Sequence, residues 1–312
     1  MSEFSPAAVP FVGICILFST ELFLNAIVIG ILLGGFYAAL SIGLSISFGL
    51  LDIVNIAHPA FIILGAFACF IFNSHYGFDP ILIGIIFAPA FYVLGTLIYR
   101  IYYESFEKTG AEALRGLAFF FGVMFIIEVI LIMSFGVDFQ MVQADYIDFK
   151  ATFGVVDIPF RMFVPFVIAM IMTFGLQYFS SRTFFGRAMQ AVAQDSLALR
   201  LMAIDPARIK RIAFGLSLAT CSIAGALLVI VIPIEPSVGR LYIGQVFAIV
   251  VLGGLGSQSG TLIAAMLLGL VESMITTFFG PSWSPAVAFG GLILVLAFKT
   301  TGILGRVGDT RG

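Results

Sequence analysis

Hydrophobic positions along the 312-residue chain come in long blocks, and the blocks are bounded by charges. Uncharged runs extend over Leu22–Leu51, Ile53–Phe78, Pro80–Tyr99, Met162–Ser181, Ile212–Ile234, Leu241–Val271 and Ser273–Phe298, and Gly116–Val137 is broken only by Glu128. Each holds about 20 residues or more, enough for a helix to cross roughly 30 Å of hydrocarbon. No two-residue alternation runs through them, which disfavours a β-barrel. The pattern predicts an all-α, polytopic helical membrane protein forming a single domain over residues 1–312. The expected count is eight or nine spans. Within the last long run, Tyr242–Leu252 is only about 16 Å of helix before glycines interrupt it, so a broken or re-entrant helix is expected there. The short apolar run Ala7–Phe18 is left open as a further span.

Composition supports lipid as the solvent. Hydrophobic residues make up 61% of the chain and charged ones 10%, against roughly 25% charged in an ordinary soluble domain. Fifteen Lys and Arg with 17 Asp and Glu cannot coat a globule that also holds 35 Phe. No Lys or Arg precedes Arg100, so no cleavable leader is expected and the first helix inserts as it stands. Cys15, Cys69 and Cys221 sit apart in apolar surroundings and read as small buried hydrophobes; no metal site is expected. A net charge of −2 with no basic stripe disfavours nucleic acid as a partner.

The few charges also orient the chain. Nine of the 15 cations fall in two loops, Arg100–Arg115 and Arg182–Arg211. By the positive-inside rule both are cytoplasmic, and so is the tail carrying Lys299, Arg306 and Arg311. The Asp138–Arg161 loop is mainly acidic and is expected outside, as is the N-terminus.

The 182–211 loop is patterned as a rigid knob. Ala188, Met189, Ala191, Val192 and Ala193 form one short helix, Asp195 can cap a second from Ser196 to about Ala203, and Asp205–Pro206 is an N-cap pair that starts the next membrane helix. Such a knob either lies on anionic headgroups or docks a partner. Gly253, Gly254, Gly256 and Gly260 either break a helix along a translocation path or permit close helix packing. Asn55 and His58 share a helix face, as a cap or as solute contacts. Glu128 and Glu272 are acids inside apolar runs and seldom face lipid; they join helices or line a pathway. No phosphate loop, zinc-protease motif or nucleophile elbow is present, so no enzymatic activity is expected.

Four blocks resemble permease subunits of branched-chain amino acid ABC importers. These are Asn55-Ile56-Ala57-His58; Gly186-Arg187-Ala188 with Ala191 through Asp195 and Leu201 through Asp205; Leu252-Gly253-Gly254-Leu255-Gly256-Ser257 with Gly260 and Glu272; and Thr301 through Arg306. The resemblance implies that Gly186, Arg187, Ala188, Ala191, Asp195, Leu201, Ile204 and Asp205 form the loop that couples to an ATPase. It implies two ATPase subunits, a second, related permease subunit (heterodimer, or homodimer), a periplasmic solute-binding protein and a bacterial inner-membrane location. ATP and Mg would be held by the partner subunits, with no cofactor on this chain. Path candidates are Asn55, His58, Glu128, Gly253, Gly254, Gly256, Ser257, Gly260 and Glu272. Pro59 and Gln258-Ser259 depart from the family pattern, and urea or short-amide uptake stays open as the solute alternative. A secondary carrier or channel working without ATPases is the other reading.

Overall fold

A computed structural model describes residues 20–51, 53–109, 112–154, 156–298 and 302–304; the apolar run Ala7–Phe18 lies outside them. Helix accounts for 79% of the described residues. In chain order the helices are α1 (Thr20–Ser47), α2 (His58–Tyr76), α3 (Pro80–Ser105), α4 (Glu112–Phe135), α5 (Phe160–Arg182), α6 (Phe184–Gln194), α7 (Ser196–Leu201), α8 (Pro206–Val231), α9 (Gly239–Gly253), α10 (Gln258–Phe279) and α11 (Ser284–Phe298).

Seven of these, α1 to α5, α8 and α10, are long and apolar enough to cross a membrane. The expected eight or nine spans are therefore not reached by length. The shortfall comes from α9 and α11, which have 15 residues each and rise only about 22 Å, less than a ~30 Å hydrocarbon core.

Helix ends follow local chemistry. Asp79 caps α3, its Oδ1 accepting from the Ile81 and Leu82 amides at 2.8 and 3.3 Å. Asp205 caps α8 as its Asp-Pro pair predicts, accepting from the Ala207 amide at 3.0 Å. Helix α2 stops at Gly77, whose φ of 70° and bond to the Asn73 carbonyl form a left-handed C-cap.

Packing centres on α1 and α8. Burial covers α1 from Phe36 through Ser47 and α8 from Cys221 through Ile230 with few gaps. Helix α10 lies along α1, and α3 and α2 lie along α8. Lipid tails are as apolar as leucine, so these helices gain little from hydrophobic burial and depend on close approach. Small residues allow it: a Cβ on Gly34 would stand 2.6 Å from the Met266 Cα of α10, and one on Gly95 of α3 would stand 2.9 Å from the Gly215 Cα of α8. The outer flank of α3 instead exposes Leu82, Ile86, Val93, Leu97 and Ile101, as a lipid-facing surface does.

The two ends of the bundle differ. At the acidic end a small antiparallel hairpin, β1 (Lys150–Phe153) against β2 (Val156–Pro159), pairs Lys150 with Pro159. Asn73 straps this loop with two bonds to the Gln143 backbone at 2.9 and 3.0 Å, and Asn25 accepts from the Asp157 amide at 2.9 Å. Gln140 bridges to Ile234. Burial there pushes the Tyr146 phenol pKa up, with the Asp79 carboxylate adding to the shift. The other end carries both basic loops.

Candidate functional site

At the basic end, α6 folds back on α5. Thr183 begins the turn, its Oγ1 accepting from the Gly186 amide at 3.0 Å. Gln190 Nε2 donates to the Ser180 carbonyl and hydroxyl at 3.3 and 3.2 Å. Gly186 is needed for this fold-back because a Cβ would stand 2.5 Å from the Ser180 Cα. Of the predicted coupling residues, Gly186 and Ala188 face α5 and are buried, Ala191 and Ile204 are half-buried, and Arg187, Asp195, Leu201 and Asp205 are exposed.

Helix α7 ends at Leu201, short of the expected Ala203. Ala203 adopts φ 60°, and the Ile204 amide reaches back to the Leu199 carbonyl at 3.0 Å, so the chain reverses into Asp205. The knob exposes large apolar side chains: Phe184, Leu201 and Met202 are 62%, 83% and 70% exposed. Phe184 was missed in the sequence, although a large apolar residue in an otherwise basic loop is a usable signal; Met202 lies within the Leu201–Asp205 block that carries the resemblance. Beside the knob, Lys210 of α8 lies 2.6 Å from Glu107, which also accepts from the Tyr99 hydroxyl at 2.8 Å.

Beside the knob lies the glycine break. Helix α9 ends and α10 begins through Gly254 (φ 98°) and Gly256 (φ 79°), conformations that side chains rarely adopt. Ser257 caps α10, accepting from the Gly260 amide at 3.1 Å. Gly253 packs against Gly260, and Gly256 packs against Gly49 at the end of α1. The tail closes over this turn, with Ile303 and Leu304 amides donating to the Leu252 and Gly253 carbonyls at 2.7 and 3.1 Å. Those carbonyls are orphans of the helix end, so the tail satisfies them.

Between this break, α5 and α6 opens a vestibule of about 450 Å³. Gln177, missed in the sequence, crosses its wall to the Ser259 hydroxyl at 2.7 Å. The break thus both packs closely and borders a cavity.

The intramembrane candidates separate into three kinds. His58 is a strut: its ring bonds the Leu40 carbonyl at 3.2 Å and contacts the Cys221 sulfur at 3.4 Å, joining α2 to α1 and α8. Asn55 is fully buried but caps nothing. The N-cap of α2 is Ala57, and both polar atoms of the Asn55 side chain lack a partner; only its backbone carbonyl serves, accepting from the His58 amide at 3.2 Å.

Glu128 is an inter-helix contact, 2.6 Å from Arg240 at the start of α9. Arg240 is the one Lys or Arg between Arg211 and Lys299, an isolated cation that could have been flagged as needing a partner. Glu272 accepts from the Ser284 hydroxyl. The hydroxyls of Tyr37 and Tyr242 lie within electrostatic reach of Glu272, and Gln245 donates to Tyr37 at 3.4 Å. These partners were invisible in the sequence because they lie on separate helices. Glu128 and Glu272 do not share a site, and neither reaches the vestibule. Among the described residues no cluster of His, Cys, Asp and Glu could hold a metal ion.

Residues 26–297 match the family described as the branched-chain amino acid transport system permease component. The high-affinity branched-chain amino acid transport system permease protein BraD of Pseudomonas aeruginosa is 30% identical over 300 residues, covering 91% of this chain and 96% of BraD. LivH of Escherichia coli strain K12 is 26% identical over 91% of this chain and 96% of its own. LivM of the same strain is 26% identical over 86% of this chain and 67% of LivM. No solved structure matches the chain.

Proposed function

Because the chain belongs to the branched-chain amino acid transport system permease family, we propose that it is the membrane permease subunit of an ABC importer that moves branched-chain or similar hydrophobic amino acids inward. The observation that carries this reading is the seating of the α6–α7 knob. It is locked onto α5 through Gly186 and Gln190, it presents exposed apolar side chains to a partner, and it forms one wall of the vestibule at the glycine break. A push on the knob therefore reaches the α9–α10 turn through α5, whose Gln177 bonds Ser259 at the start of α10.

The remaining parts of the proposal follow the charges. The basic end is cytoplasmic and the acidic hairpin end is periplasmic. Helices α9 and α11 cross as well, making nine, since α9 runs from the level of Glu128 to that of Gly49 and the tail returns to Leu252. Two ATPase subunits dock at the knobs of two permease subunits, a related permease completes the pair, and a periplasmic binding protein delivers solute to the acidic end. The chain itself hydrolyses nothing and binds no cofactor; ATP and Mg belong to the ATPases.

Co-purification tests this directly. The full chain expressed with its neighbouring transport genes should bring down an ATPase, and proteoliposomes should take up L-leucine only with ATP and binding protein. Leucine uptake driven by a proton or Na⁺ gradient without any ATPase would establish a secondary carrier instead. ATP-driven uptake of urea, and not of leucine, would replace the solute.

A further inference from the structure

A pocket of about 430 Å³ lies apart from the vestibule, where the end of α3 meets the start of α8. Arg100, Tyr103 and Glu104 of α3 line it with Asp205, Arg208 and Arg211. Its two carboxylates are already engaged. Glu104 accepts from Arg100 at 3.0 Å, and Asp205 caps α8 through the Ala207 amide at 3.0 Å. Arg208 and Arg211 are exposed, stand one turn apart on the same side of α8 and join no ion pair among the described residues. Their planar forks suit the oxygens of a phosphate.

Depth and surroundings identify where that phosphate comes from. Arg100 stands about 30 Å along the α3 axis from Pro80, one hydrocarbon thickness away, so the pocket is at headgroup level on the basic side. Ile86, Val93 and Leu97 are exposed and precede Arg100 on the same face of α3. An acyl chain laid on this stripe leads its headgroup directly to the arginines. An acidic protein surface or a soluble anion has no use for the stripe. Three cations against two carboxylates also favour a net anionic headgroup over a zwitterionic one, whose own cation they repel. Basic pockets between membrane helices on the cytoplasmic side suit anionic lipid in this way, and Tyr103 adds an aromatic ring at the interface.

We propose that the α3–α8 pocket binds one anionic phospholipid, its phosphate held by Arg208 and Arg211 and a chain lying along α3. Its placement in the cytoplasmic leaflet rests on the orientation proposed above; its preference for a net anionic headgroup does not. The lipid joins the two helices and holds the start of α8, next to the knob, against α3.

The full chain, purified with the subunits that accompany it and stripped of lipid in mild detergent, is titrated with dioleoyl phosphatidylglycerol or dioleoyl phosphatidylcholine, and bound lipid is counted by native mass spectrometry. Phosphatidylglycerol is expected to saturate a site that phosphatidylcholine fills at least about tenfold more weakly. Arg208→Gln with Arg211→Gln should weaken phosphatidylglycerol binding about twentyfold, about fivefold for each cation lost near the headgroup. Arg211→Gln alone, which takes one cation from the loop and disturbs insertion less, should lose about fivefold. Arg182→Gln with Arg200→Gln removes as many cations from the same loop outside the pocket, and should leave the site as it is. Equal binding of the two lipids, undiminished phosphatidylglycerol binding in either pocket variant, or an equal loss in the Arg182 and Arg200 variant would overturn the site. Loss of an accompanying ATPase from the pocket variants with phosphatidylglycerol binding unchanged would assign the arginines to a protein contact instead. Lipid counting does not depend on transport, so failure of ATP-driven leucine uptake would remove the importer reading and leave this site standing.

Discussion

Glu128 of α4 and Arg240 of α9 form an ion pair of 2.6 Å across 112 residues of sequence, with the carboxylate 7% exposed and the guanidinium side chain 51% exposed. The asymmetry decides what each variant does. Removing Arg240 leaves a charge buried without a partner, which is costly; the exposure of Arg240 discounts the Coulombic part. Arg240→Gln should destabilise the solubilised protein by about 1–2 kcal/mol, and Glu128→Gln by less. The double variant should sit closer to wild type than the two losses summed. Thermal unfolding of the four proteins measures this, and strictly additive losses would show that the pair is not coupled.

Ala203 takes a left-handed conformation, φ 60°, where α7 reverses into the Asp205 cap. A Cβ in that region costs about 1–2 kcal/mol, and glycine avoids it. Ala203→Gly should therefore raise stability by a few tenths to about 1 kcal/mol once the greater freedom of glycine in the unfolded chain is subtracted. Ala203→Val should lower it. A lower melting temperature for the glycine variant would rule out this account of the reversal.

Leu201 and Met202 are exposed, and neither side chain takes part in any hydrogen bond or ion pair among the described residues. Charging them leaves the fold alone and spoils an apolar contact. Leu201→Asp combined with Met202→Asp should leave membrane insertion and melting temperature near wild type, while retention of an ATPase on the purified permease falls at least about tenfold. Gly186→Val acts differently, since its Cβ would press on Ser180, and should lose stability as well as coupling. Full ATPase retention by the double aspartate variant would relocate the docking surface.

Much of this arrangement could be read from residue order, because its causes are local. Charges delimit α1 to α5 and α8, the Asp205–Pro206 pair starts α8, and glycines mark the α9–α10 turn, whereas α10 runs straight through Glu272. What could not be read depends on packing between distant helices. Asn55 looked like a cap, yet its carboxamide is sealed in with no partner while Ala57 takes the cap position. Glu128, Glu272 and Ser259 were visible as polar positions, but Arg240, Ser284 and Gln177 became their partners only when separate helices came together. Seven helices reach spanning length against the expected eight or nine for a related reason: a run of uncharged residues does not reveal where its helix is cut, and both short helices, α9 and α11, come from long apolar runs.

Gly269 and Gly290 invite the same substitution with opposite results. A Cβ on Gly269 of α10 would stand 2.5 Å from the Gly34 Cα of α1, whereas one on Gly290 of α11 meets nothing within 4 Å. Backbone cannot rotate aside as a side chain can, so Gly269→Ala must push α10 away from α1, the helix at the centre of the bundle. In lipid that separation is not opposed by water exclusion; the lost dispersion contacts are the whole of the cost. Gly269→Ala should destabilise by about 1–3 kcal/mol, as overpacking does, and lower the yield of folded protein in membranes. Gly290→Ala should be neutral or slightly stabilising, since alanine is the better helix former by about 1 kcal/mol. Equal effects at the two positions, measured by thermal unfolding in the same detergent, would show that close approach of α1 and α10 does not hold the bundle together.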